Sequence, residues 1–213
     1  MNDLSPQQLQ LLQSGEMLPI MEHFYTIQGE GGNTGKPAYF IRIGGCDVGC
    51  HWCDVKESWD ASKHPLIPIT DLLPFLKGTP ARDVVITGGE PTQYNLTALT
   101  KLLHQNSFRT FIETSGANDL TGNWNWVCLS PKKNTPPVES IYPLAHELKV
   151  IIHNLNDFKW AESHADKVNS DCRLFLQPEW SKHAEILPKV IDYVMENPRW
   201  NISLQSHKFM NIP

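Results

Sequence analysis

Cys46, Cys50 and Cys53 fall within eight residues at a C-x3-C-x2-C spacing, and no other stretch of the chain carries as much chemistry. Thiolates at that density hold a soft metal ion or an iron–sulfur cluster. A closed structural zinc site takes four protein ligands, so zinc would need a further donor, with His51 or the distant His207 as candidates. Three thiolates on a four-iron cluster instead leave one iron without a protein ligand, and that corner can bind a substrate or cosubstrate. The other two thiols, Cys128 and Cys172, stand alone in apolar runs and read as small core residues. The nine histidines are scattered and mark no second metal cluster.

The elements that must position these thiols follow from the alternation of short apolar runs with helical patterns. A strand over residues 38–43 delivers the chain into the cysteine loop, with Arg42 inside it. A charge in an apolar run is costly unless paired, so Arg42 is expected to meet a carboxylate of the protein or of a ligand. Ahead of it, a strand over 20–27 runs into a glycine-rich turn, Gln28-Gly29-Glu30-Gly31-Gly32-Asn33. That turn is either a plain hairpin loop or a place where side-chain-free backbone approaches a flat ligand, with Gln28 and Glu30 as polar edges.

Further strands read at 83–86, 109–112, 126–129, 147–152, 173–176 and 201–204. They end in Thr87-Gly88-Gly89-Glu90-Pro91, Glu113, Ser130-Pro131-Lys132, Gln177-Pro178-Glu179-Trp180 and His207-Lys208. Helices are expected after Ser5-Pro6, over 69–76 up to Gly78, from an Asn95 cap, over 157–167, and over 182–196, where Pro188 should kink the helix or start its second half. The pattern predicts an α/β fold, a partial (open) TIM-type barrel of about six parallel strands with a reduced helix set. Sites in such folds lie at the C-terminal ends of the strands, where the polar and glycine-rich residues gather. Glu113 and Lys132 are either ligand contacts or ordinary solvated charges there, and His207 and Lys208 can cap the last strand.

The 213 residues, 40% hydrophobic and 19% charged, suit a single domain over 1–213, with residues 1–18 as an N-terminal helical appendage. A net charge of -5 gives no basic stripe, so no nucleic acid is expected as partner. No apolar run is long enough for a membrane span, and five cysteines with three clustered do not form a secreted disulfide framework. A cytoplasmic location without membrane contact is the expectation.

The cysteine spacing, with Trp52 directly before the third thiol, and the strand-terminal Thr87-Gly-Gly-Glu-Pro91 together resemble the radical S-adenosylmethionine (radical SAM) superfamily. Within it, residues 24–31 (FYTIQGEG), 35–42 (GKPAYFIR), 44–46 (GGC) and 203–213 (SLQSHKFMNIP) are similar to the 7-carboxy-7-deazaguanine synthase family of 7-deazapurine (queuosine precursor) biosynthesis. The resemblance spans nearly the whole chain and is weakest over 1–18 and 55–80.

It implies a carbon–nitrogen lyase. A 4Fe-4S cluster on Cys46, Cys50 and Cys53 would cleave S-adenosyl-L-methionine (SAM) to methionine and a 5′-deoxyadenosyl radical. That radical would take hydrogen from C6 of 6-carboxy-5,6,7,8-tetrahydropterin, which contracts its ring and loses ammonia to give 7-carboxy-7-deazaguanine. Carried over to matching positions, Trp52, Cys53, Asp54, Gly89, Glu90, Ser130, Pro131 and Lys132 are expected to touch SAM, and Gln177, Pro178, Glu179 and Trp180 to flank its adenosine end. The pterin would lie over Ile27, Gln28 and Gly29, with Arg42 at its carboxylate, Thr87 nearby and Pro213 at its guanidine-like edge.

The family usually has threonine after Cys-Asp, as a ligand for Mg2+ that also touches the substrate, whereas this chain has Val55. Valine offers no oxygen to a hard cation, so magnesium is expected to be held by substrate, Asp54 and water, weakened, or absent. A homodimer and an electron donor such as flavodoxin complete the implied partners. Two rivals stay open at this point: a radical SAM enzyme that activates a glycyl-radical protein, and a non-enzymatic zinc module.

Overall fold

A computed structural model describes residues 5–213 of the chain. The first helix, α1 (Pro6–Ser14), starts where the sequence signals it: Ser5 accepts from the Gln8 amide, the Gln8 side chain reaches back, and Gly15 ends the helix at φ 75°. This reciprocal cap satisfies amides the first turn leaves orphaned. Residues 1–4 of the expected appendage lie outside the described residues.

Nine strands form one open sheet in the order β3-β1-β2-β4-β5-β6-β7-β8-β9. They are β1 (Met17–Ile27), β2 (Pro37–Ile43), β3 (Leu66–Pro68), β4 (Asp83–Gly88), β5 (Arg109–Thr114), β6 (Trp126–Leu129), β7 (Glu147–Ile152), β8 (Arg173–Pro178) and β9 (Trp200–Ile202). From β2 through β9, leaving out β3, neighbours pair in parallel. That makes seven parallel strands where about six were expected. The strand expected at 20–27 is the longer β1 and runs antiparallel to β2. Beside it β3, in a stretch where no strand was expected, adds a second antiparallel edge.

Side chains alternate across each strand, and the register gives the sheet two unlike faces. One face carries Ile41, Ile86 and Ile112 into an apolar cluster with Leu99 and Leu103, two residues of α3 (Thr97–Gln105). Along β7 and β8 the same face carries Leu148, Val150, Leu174 and Leu176 into a second cluster with Phe158, Ala161, Ile186 and Val190. Those last four belong to α4 (Asn156–Ala165) and α5 (His183–Glu196). Pro188 lies inside α5, which runs on as one helix rather than starting a second half there. Helix α2 (Leu73–Lys77) is preceded by a short 3-10 turn at Ile69–Leu72.

The opposite face begins as an apolar layer, with Phe40, Val85, Phe111 and Trp126 abreast. One step toward the strand ends it turns polar: Arg42 lies beside Thr87, and Glu113, Cys128 and Glu147 lie in a row. The sheet curls over this face. The turn after β1 reaches its far side, where Gly31 N donates to Ser203 Oγ (2.9 Å), Gly32 N to Glu147 Oε2 (3.0 Å) and Arg173 Nη1 to Gly32 O (3.3 Å). The tail folds into α6 (Ser206–Met210), a helix that the sequence pattern after the strand at 201–204 does not signal.

Candidate active site

The cysteine loop is fixed by backbone. Gly45 N donates to Ser58 O (2.6 Å), Cys46 N to Trp59 O (3.1 Å) and Cys53 N to Cys50 O (3.1 Å). The strand-terminal glycines of 87–91 pack directly on it, with Gly89 N donating to Ile43 O (2.9 Å) and Glu90 N to Gly45 O (2.8 Å). A Cβ on Gly89 would lie 2.1 Å from Gly45 O and 2.9 Å from Cys46 Cβ. Gly88 adopts φ 134°, and a Cβ there would lie 2.0 Å from Ile43 O. Only glycine allows two backbones this close.

Glu90 is buried, and its carboxylate accepts from five donors. These are Thr92 N (3.1 Å), Thr92 Oγ1 (2.7 Å), Ser115 N (2.8 Å) and the hydroxyls of Thr114 and Ser115. The buried carboxylate thus has its acceptor capacity satisfied, and it ties the end of β4 to the end of β5.

Cys46, Cys50 and Cys53 are half-buried free thiols. Burial pushes the Cys46 thiol up, against the amides of Val48 and Gly49, which point at its sulfur. Burial also raises Cys50, and the nearby Lys132 opposes it. The donor set fits a 4Fe-4S cluster: three soft ligands on one loop, amides aimed at sulfur, and one cation alongside to offset cluster charge. Lys132 itself bends back to Ser130 O (2.6 Å) and Ser130 Oγ (2.7 Å), and Asn134 Nδ2 donates to Gly49 O (2.8 Å). The 130–134 loop is thus docked on the cysteine loop.

Toward the end of β8, Trp52 stacks on His153 at 5.6 Å between centroids, and His153 Nδ1 lies 3.7 Å from Glu179 Oε2. That nitrogen is buried without a hydrogen-bond partner among the described residues. An orphaned polar atom between Trp52 and Glu179 suits a polar ligand such as the adenosine of SAM. Trp180 is exposed and packs edge-on against Phe209 at 5.4 Å.

The polar face of the sheet holds a group that pattern reading missed. Lys149 Nζ bonds Glu30 Oε2 (2.6 Å) and Glu113 Oε2 (2.9 Å). Gln28 Nε2 donates to Glu113 Oε1 (3.1 Å). Burial works against the Lys149 ammonium, but Cys128, Glu113 and Glu30 hold its pKa well above the ordinary lysine value. Burial likewise raises the Glu30 carboxyl, and Lys149 outweighs it, leaving the pKa lowered. Glu147, farther from Lys149 and next to Glu113, is raised, chiefly by burial. The signal for Lys149 was its parity: it follows Glu147 by two in an otherwise apolar strand, so both charges face the same way.

Arg42 finds its carboxylate within the protein, Nε donating to Glu22 Oε1 at 2.7 Å. That bond uses Nε alone. Cys172 packs in the apolar core as expected, whereas Cys128 lies on the polar face with its thiol 3.6 Å from Glu147 Oε1. The glycine-rich turn is approached by the protein itself: a Cβ on Gly29 would lie 2.3 Å from His207 Nδ1. Ser206 N (2.9 Å) and Ser206 Oγ (2.8 Å) both bond Gly29 O. Asp54 Oδ2 accepts from Lys208 Nζ (2.9 Å) and Gln205 Nε2 (3.3 Å). His207 and Lys208 therefore do not cap β9; they join the glycine-rich turn after β1 to the cysteine loop.

Magnesium does not fit the turn after Cys53. Val55 has no side-chain oxygen, and its carbonyl accepts from Ser58 N (3.1 Å) and Ser58 Oγ (2.7 Å). One Asp54 oxygen is held by an ammonium. Among the described residues, no three His, Cys, Asp or Glu side chains gather as a single-ion site. Mg2+ demands near-octahedral oxygen ligation, and this turn does not supply it.

A family model described as "4Fe-4S single cluster domain" matches residues 27–122. The chain is 58% identical over 202 residues to the 7-carboxy-7-deazaguanine synthase of Flavobacterium psychrophilum, covering 95% of this chain and 96% of that one. It is 45% identical over 194 residues to the synthase of the same name from Synechocystis, covering 91% and 93%. The crystal structure of QueE from Escherichia coli superposes with a TM-score of 0.82 at 33% identity, covering 96% of this chain and all of that one.

Proposed function

The chain belongs to the 7-carboxy-7-deazaguanine synthase family, and on that premise we propose how its own residues carry out the family's reaction. It is a radical SAM lyase that converts 6-carboxy-5,6,7,8-tetrahydropterin to 7-carboxy-7-deazaguanine and ammonia. The observation that carries the reading is the cysteine loop locked onto Gly88-Gly89-Glu90, directly beside a polar sheet face built to hold a flat, charged ligand. Neither a zinc module nor a glycyl-radical activator is favoured by the relatives.

When bound, the 4Fe-4S cluster and SAM supply the one-electron chemistry that removes hydrogen from an unactivated C–H bond. Cys46, Cys50 and Cys53 hold the cluster. Trp52, Cys53, Asp54, Gly89 and Glu90 line the amino-acid end of SAM, together with Ser130, Pro131 and Lys132. Gln177, Pro178, Glu179 and Trp180 flank its adenosine, with His153 Nδ1 as an added polar contact. The chain's main task is positioning, because a carbon radical quenches on any C–H bond within reach. Ile27, Gln28 and Gly29 form the floor under the pterin, and Thr87 lies beside it. The η nitrogens of Arg42, left over from the Glu22 bond, meet the substrate carboxylate as a fork, and Pro213 faces its guanidine-like edge. The enzyme works as a single domain over 1–213, as a homodimer in the cytoplasm, with a flavodoxin-type electron donor. Among the described residues, no helix is long and apolar enough to cross a membrane.

Anaerobic reconstitution with iron and sulfide, followed by incubation with SAM, reductant and the tetrahydropterin, tests this. The expected result is four irons per chain and stoichiometric 7-carboxy-7-deazaguanine and ammonia. Iron-loaded protein that cleaves SAM but leaves the pterin intact would sink the substrate assignment.

A further inference from the structure

We propose that Lys208 is a substrate-positioning residue, supplying beside Asp54 and Val55 the positive charge that a divalent cation would otherwise bring. This inference rests on the pterin reading above and goes beyond it. It begins from the mismatch between the turn after Cys53 and magnesium: a hydrocarbon at Val55, a carbonyl already bonded twice by Ser58, and an Asp54 oxygen already bonded by nitrogen.

The cation present there belongs to the protein. Lys208 Nζ stands 2.9 Å from Asp54 Oδ2 and 4.8 Å from the centre of the Trp180 ring, with its side chain only 19% exposed. The carboxylate and the aromatic face together fix an ammonium in place. Its three N–H donors are not all used by Asp54. The backbone under it is fixed too, because Ser206 is bonded twice to Gly29 O and His207 rests on Gly29. Lys208 therefore sits between the floor proposed for the pterin and the loop proposed for SAM. Unlike Mg2+, an ammonium needs no octahedral oxygen shell to contact a carboxylate. A resident positive charge at this distance also repels a second cation from the same oxygen.

The test uses the full chain with its cluster reconstituted, first treated with chelator, with Mn2+ as a spectroscopic probe of divalent binding. Wild type is expected to change turnover less than about twofold between chelator and added Mg2+, and to leave Mn2+ free with substrate present. Lys208→Met should raise KM for the pterin at least about tenfold while the cluster spectrum and its response to SAM stay as in wild type; Lys208→Arg should restore KM to within about threefold. Adding Val55→Thr to Lys208→Met should make turnover rise with Mg2+. The proposal is overturned by a wild type that loses roughly tenfold on chelation or binds Mn2+ in its substrate complex, or by a Lys208→Met enzyme with unchanged KM. Should Lys208→Met fail to fold, the wild-type chelation and Mn2+ measurements decide alone. A wild type that makes no deazaguanine under any metal condition would instead refute the functional reading itself.

Discussion

Lys149 holds its charge where an isolated ammonium would be costly, and two carboxylates reward it. Its side chain is 5% exposed, and it bonds Glu30 and Glu113 across the width of the site. Removing one member of such a group leaves the others buried and uncompensated, typically at about 3–5 kcal/mol. Lys149→Met should therefore lower the free energy of unfolding measured in urea by that amount and weaken pterin binding, both readable on the same purified protein. A second residue-scale expectation concerns His164, buried against Tyr142 with Nδ1 2.7 Å from its hydroxyl. Burial, and then Lys167, lowers its pKa from 6.5 to about 4. Unfolded, the ring takes its proton near 6.5; folded, it does not until about 4. Its contribution is therefore complete above 6.5 and is lost as pH falls toward 4, by about 3 kcal/mol at most. Unfolding titrations across this window should slope less in His164→Phe than in wild type; an equal slope would assign the loss to another group. Residues were legible where type and spacing coincide, as in the three thiols and the paired glycines before Glu90. They were not where the partner is remote: Lys149 meets Glu30 across 119 positions, a distance no local pattern encodes.

At the scale of elements, α6 does more than its five residues suggest. It is too short to persist without packing, and what holds it is the Gly29 carbonyl under Ser206 and the bare Gly29 Cα under His207. Gly29→Ala should push His207 away. The expected outcome is faster amide exchange over 205–211, a higher KM for the pterin and an unchanged cluster spectrum; normal exchange there would mean α6 is held by other contacts. The strands β2 and β4 to β9 were readable because each is a compact apolar run ending in polar or glycine-rich residues. Two elements were hidden for a common reason. Both β3 and α6 are too short for a periodicity to show, and they exist because of neighbours: β3 pairs with Met17–Pro19 of β1, and α6 is clasped by the glycine-rich turn.

For the whole molecule, the cluster loop hangs on a scaffold that does not depend on it. The two large apolar clusters lie on the helix-covered face, whereas the three thiols sit past the strand ends. Metal that binds only the folded loop should stabilise that loop first. Chelating the iron is therefore expected to leave far-ultraviolet circular dichroism unchanged while amide exchange speeds up over residues 44–59. Global unfolding on iron loss would mean the loop is part of the folding core. Overall topology was legible because parallel α/β order follows from alternating strand and helix patterns. The curl that brings the turn after β1 to β7, β8 and β9 was not, since it depends on how far successive strands twist.

The Gly29–Ser206 clasp has a consequence for synthesis. Its partners are 177 positions apart, so they cannot meet until synthesis has passed residue 206. The strands and helices of the sheet can assemble as they emerge, but the floor proposed for the pterin is closed only once residue 206 has joined them.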